Sequence, residues 1–156
     1  MLKRLRNTDG STILEAAIVT PLLLLLTFSI VDFGAMFYCY LALENGVSQA
    51  TRYGITNSLM DDPASPGTKL SRTESIKLAM RQATPTLTIP DGSFAFAHRS
   101  VGGSSWIGGS GAPDDIEKVT VNYTWNVLTP VLWPFFTNGQ INLTADSVMK
   151  NEAPLP

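Results

Sequence analysis

Histidine and cysteine are nearly absent from this chain of 156 residues: there is one of each, His98 and Cys39. A metal centre of the His/Cys kind needs several such ligands and cannot be built from one chain so equipped. No intramolecular disulfide can form, so an exported domain must be held by packing. Only a bridge between two chains stays open to Cys39, whose apolar neighbours mark it as a small buried hydrophobe. Charge is scarce too, at 15% of residues with a formal net charge of -2, and the basic residues are thinly spread. That speaks against nucleic acid as a partner, because phosphate binding needs concentrated positive charge. Neither G-x-x-x-x-G-K-[ST] nor a G-x-G-x-x-G between strand and helix occurs, so no phosphate-cradling loop is expected. Gly108 to Ala112 approaches a G-x-S-x-G elbow but lacks the last glycine and the strand-to-helix turn. His98 reads as a structural or surface residue, and no catalytic set, metal or cofactor is expected.

What the chain does have is concentrated at its start. Lys3, Arg4 and Arg6 precede Gly10 and Ser11; a lone acid, Glu15, follows; and from Ala16 to Val31 there is no charge at all. Ile13 to Val31, as a helix, spans about 28 Å, close to the hydrocarbon thickness of a bilayer. The basic cluster before it predicts an N-terminus in the cytoplasm. A cleaved secretory signal fits less well, because the run is long and no A-x-A site closes it. Phe33, Phe37, Tyr38 and Tyr40 are the ring types that gather at the headgroup level. One helix from Ser11 past Leu43, loosened at Pro21, is the economical reading. An ionised carboxylate at the lip of such a span is costly unless it meets a partner, which makes Glu15 the candidate functional residue.

Beyond the span, Ala42, Gly46, Ala50 and Gly54 place small side chains on one helical stripe, a seam for close packing by another helix or by the protein's own sheet. Asp61 to Gly67 is turn-rich and should end the helix. Ser71 with Glu74 has the form of a capping box, with Ile76, Met80 and Ala83 on one face behind it. Alternation at Phe94 and Phe96, from Val119 to Val127, and at Ile141, Leu143 and Ala145 predicts half-buried antiparallel strands. Val101 to Pro113, rich in glycine and serine around Trp106, reads as irregular. Thr129 to Gly139 is Pro-rich and aromatic, with Trp133, Phe135 and Phe136 placed against the helix or toward the membrane. Asn122 and Asn142 carry N-x-T triplets but fall in strands, which discounts them as glycan acceptors. The expected architecture is α+β and pilin-like: a long N-terminal transmembrane and stalk helix packed on a small antiparallel β-sheet with one accessory helix. The segments divide as a basic leader over 1–10, the transmembrane and stalk helix over 11–60, and an extracytoplasmic α+β domain over 61–156.

Gly10, Ser11 and Glu15 ahead of a long apolar helix resemble a type IV prepilin N-terminus. The run from Glu15 to Leu23, with Ala50, Thr51, Arg52, Tyr53 and Gly54 downstream, resembles the TadE-like pseudopilins of tight-adherence (Tad) pili. The C-terminal half is also similar, with a strand from Val119 to Trp125, a Pro-rich aromatic link and a closing strand from Gly139 to Met149. The resemblance implies cleavage after Gly10 by a prepilin peptidase, leaving Ser11 as the new N-terminus. It implies a minor pilin or pseudopilin of the inner membrane, single-pass with the C-terminal domain outside. Its partners would be other pilin or pseudopilin subunits and the pilus assembly platform, in support of pilus assembly and surface adherence. It assigns no role to Asp32. The alternative reading is a permanently membrane-anchored extracytoplasmic binding protein; an anchored enzyme is the weaker third.

Overall fold

A computed structural model describes residues 9–152. Helix α1 runs over Asp9–Ile55 and continues through Pro21. Its end comes earlier than the turn-rich stretch suggests, for a local reason. Thr56 and Asn57 tighten the last turn by donating to the carbonyls of Tyr53 and Gly54, and Asn57 then takes φ 55°, which leaves the helix. Helix α2 covers Arg72–Ala83, and its N-cap is the expected one: the Ser71 hydroxyl accepts from Glu74 N–H at 3.3 Å.

Four strands form one sheet in the order β2, β1, β3, β4, with β1 at Phe94–Arg99, β2 at Ile107–Gly108, β3 at Ile116–Asn126 and β4 at Gln140–Lys150. β1 is antiparallel to β3, with Phe94 facing Val121 and Phe96 facing Val119. The short β2 lies inside the stretch expected to be irregular. It forms because Gly102, at φ 84°, turns the chain so that Ile107 meets His98 across β1. Trp106 stays partly exposed, its ring under the Arg99 guanidinium at 5.2 Å. Thr124 with Asn142 and Asn122 with Thr144 link β3 to β4 by side-chain hydrogen bonds, so both N-x-T asparagines are engaged within the sheet.

The chain divides into two compact units. One comprises α1 up to Met36 with Asn126–Ile141, and the other comprises Phe37–Trp125 with the chain from Asn142 onward. The core of the second unit joins Cys39, Leu43, Val47 and Ala50 of α1 to Ile76 and Met80 of α2 and to Val119, Val121, Leu143 and Ala145 of the sheet. Each large aliphatic side chain buried there contributes roughly 1.5–3 kcal/mol.

One buried charge sits in this core. Glu117, on the same face of β3 as Val119, has no exposed surface, and its Oε2 accepts from Arg72 Nη2 at 2.6 Å. The same guanidinium donates to Asn151 Oδ1 at 2.7 Å, to the Gly54 carbonyl at 3.2 Å and to the Gly111 carbonyl. Arg72 thereby joins the end of α1, the start of α2, the loop before β3 and the end of β4. Burial pushes the Glu117 carboxyl above its ordinary range, opposed by Arg72. Arg72→Ala should cost about 3–5 kcal/mol, because it strands a buried carboxylate. Without Arg72 the folded-state pKa of Glu117 is raised further, so the protonated form favours folding and stability is lost as pH rises through that pKa. Denaturation of the full chain in detergent micelles, read by tryptophan fluorescence, should find the variant closer to wild type in acid than at neutral pH.

Candidate functional site

The first turns of α1 carry the residues singled out by the sequence. Gly10 is exposed, and a Cβ built there would meet no atom within 4 Å. The bond between Gly10 and Ser11 lies in the first turn, where an α-helix frays most readily. The basic leader residues Lys3, Arg4 and Arg6 lie outside the described residues. Glu15 is exposed, one turn further along. Among the described residues no ion pair or hydrogen bond reaches its carboxylate.

Above Glu15 the helix is dressed for an apolar medium. Ile13, Leu14, Ile18, Leu22, Leu26 and Ile30 are all exposed. Two of the hydroxyls that interrupt the run are satisfied within the helix: Thr27 and Ser29 donate to the Leu23 and Leu25 carbonyls, each at 2.8 Å. A backbone acceptor one turn back is how a hydroxyl avoids an unpaired donor in lipid. By length and composition the helix is able to cross a membrane.

Asp32, at the far end of the run, is in the opposite situation to Glu15. It is 4% exposed, and its carboxylate accepts the backbone N–H groups of Leu128 at 2.7 Å and Thr129 at 3.0 Å. The resemblance assigns this acid no role, and its partners are backbone amides of its own chain, 96 and 97 residues away. Phe33 packs edge-on to Phe136 beside it, with ring centroids 6.4 Å apart.

The small-residue stripe is occupied from within. A Cβ on Gly54 would come to 2.8 Å from Ile76 Cδ1, and one on Gly46 would run into Thr84 and Met80. Ala50 is fully buried and Ala42 half-buried. The helix that approaches closely here is α2.

His98 lies on the same sheet face as Glu117, directly opposite it, and its Nδ1 is 3.0 Å from the Gly109 carbonyl. Among the described residues no group of three or more His, Cys, Asp or Glu side chains stands close enough to hold a metal. The acid pairs serve as turn residues: Asp62 accepts from Ala64 N–H at 2.8 Å, and Asp115 from Ala112 N–H at 2.9 Å.

Residues 10–52 match the model of a protein family described as TadE-like protein; residues 53–156 lie outside the match. No curated protein and no solved structure matches the chain.

The Asp32 contact can be tested directly. Asp32→Ala leaves two buried N–H groups without an acceptor, at about 1–3 kcal/mol each. In micelles, amide exchange at Leu128 and Thr129 should speed up by tenfold or more, with Asp32→Asn intermediate. Unchanged protection would mean that the carboxylate is not what holds the segment.

Proposed function

We propose that this chain, which is similar to TadE-like proteins over residues 10–52, is a pseudopilin or minor pilin of the tight-adherence (Tad) pilus system that is cut after Gly10 by a prepilin peptidase and supports pilus assembly and surface adherence. The observation that carries the reading is Glu15: an acid on an apolar helix, one turn from Gly10, with no partner among the described residues.

Cutting between Gly10 and Ser11 makes Ser11 a free, protonated amine. In a helix stripped of other charge, that amine is the natural counter-ion for a carboxylate entering from a neighbouring subunit. Each group offsets the cost of holding the other in lipid, and the charge-assisted hydrogen bond sets axial register. The apolar face from Ile13 to Ile30 then packs against other helices, where dispersion and shape complementarity hold it. α1 spans the inner membrane once, with the basic leader in the cytoplasm and the α+β domain outside, and meets the assembly platform there.

Two features favour this over a permanently anchored binding protein. Glu15 has no use in a simple anchor, where an apolar residue would insert at lower cost. Gly10 is exposed in the first turn of the helix, where a peptidase can reach it.

Mass spectrometry of the membrane-associated protein is expected to find Ser11 as the N-terminal residue. Gly10→Ala should leave the leader attached. Protein that retains Met1 to Gly10 in a strain with active pilus assembly would instead support the permanent anchor.

A further inference from the structure

The segment from Asn126 to Ile141 contains no charged residue. Within the first unit it runs alongside the apolar part of α1. Val131 faces Pro21, Leu24, Leu25 and Phe28 across a groove of about 300 Å³. A second groove, of about 250 Å³, lies among Leu25, Ser29, Phe33, Leu132, Phe135 and Phe136. The helix residues that Val131 faces lie up to ten positions below Val31, or as much as about 15 Å along the axis, which is half the thickness of a hydrocarbon core.

The outward side of this segment is apolar. Leu128, Val131 and Trp133 are each at least half exposed, and Phe135 is 71% exposed. Several of its backbone N–H groups are paired within the protein, which matters in lipid, where an unpaired N–H costs several kcal/mol. Leu128 and Thr129 N–H go to Asp32, Val127 N–H to the Gly139 carbonyl, Leu132 N–H to Thr129 and Phe136 N–H to Trp133. Pro130 and Pro134 have no N–H to satisfy. The Trp133 indole N–H donates to the Val127 carbonyl at 2.9 Å, so the ring presents only carbon outward.

We propose that residues 126–141 form a second membrane-embedded element: a re-entrant segment whose Leu128, Val131, Trp133 and Phe135 side chains lie among the acyl chains of the leaflet on the Asp32 side. The occupant of the apolar surface is lipid. Continuity with the span argues for this, since the segment is held against residues of α1 that are themselves in the hydrocarbon. Asp32 is the anchor: it holds the turn at Leu128 and Thr129 and is itself shielded by them. The proposal rests on α1 spanning the membrane, so its test carries a separate reporter for the span.

The full chain carrying Trp106→Phe and Trp125→Phe, which leaves Trp133 as the sole tryptophan, is reconstituted into phosphatidylcholine vesicles with and without acyl-brominated lipid. A second protein, with Trp133→Phe added and Phe28→Trp introduced, reports on the span. Loss of at least half the emission from both reporters is expected. Quenching at position 28 but not at Trp133 overturns the re-entrant segment and leaves the span intact. Quenching at neither position overturns the span and the segment with it. Trp133 quenching that vanishes as the protein-to-lipid ratio rises assigns the surface to a second copy and also overturns the proposal. Wild-type protein gives an independent reading: a photoactivatable acyl chain should label peptides from 126–141 as well as from α1, and labelling confined to α1 counts against it.

Discussion

A charge in an apolar medium must be partnered, and the two acids that bracket the uncharged run of α1 meet that requirement in different ways. Asp32 is answered inside the chain by two backbone N–H groups. Glu15 is not answered among the described residues. The contrast gives the helix a direction. Its Asp32 end is closed off by the protein's own fold, and its Glu15 end carries a carboxylate with no partner among the described residues.

The same requirement shapes the second unit. Glu117 is fully buried against Arg72, whose guanidinium also donates to Asn151 and to the Gly54 and Gly111 carbonyls and so ties together segments from α1, α2, the loop before β3 and the end of β4. Such a cluster adds little net stability over a well-packed apolar core, but removing one partner is expensive. It therefore acts as a registration device for elements far apart in sequence. The small side chains of α1 serve close contact with α2 within that unit, while the apolar side chains from Ile13 to Ile30 stay exposed.

Much of this was legible in the sequence because it is local. The length of α1 follows from an uninterrupted apolar run, the start of α2 from Ser71 and Glu74, and β1, β3 and β4 from alternation of two-residue period. Gly10 and Glu15 stood out because each is unusual for its immediate surroundings. What could not be read were pairings across long separations. Nothing near Asp32 announces Leu128 and Thr129, which contribute backbone amides and so leave no side-chain signature. Arg72 in the first turn of α2 and Glu117 at the head of β3 are 45 residues apart, and nothing local to either announces the other. The two-residue β2 was hidden for another reason: it exists only through pairing with β1, and isolated it has no preference of its own. The absence of charge from Asn126 to Ile141 was visible, but its meaning depends on which part of α1 the segment lies against.

The proposed pairing of Glu15 with a new amine is open to direct chemical capture. Membranes in which pili are being assembled, containing an equal mixture of isotopically light and heavy protein, can be treated with a zero-length carbodiimide and digested for mass spectrometry. The expected product is an amide between the Ser11 amine of one chain and the Glu15 carboxylate of another, seen as mixed light–heavy pairs and absent from Gly10→Ala. Cut protein in which Glu15 stays unlinked, or is linked only within its own chain, would contradict a role for this acid in joining subunits.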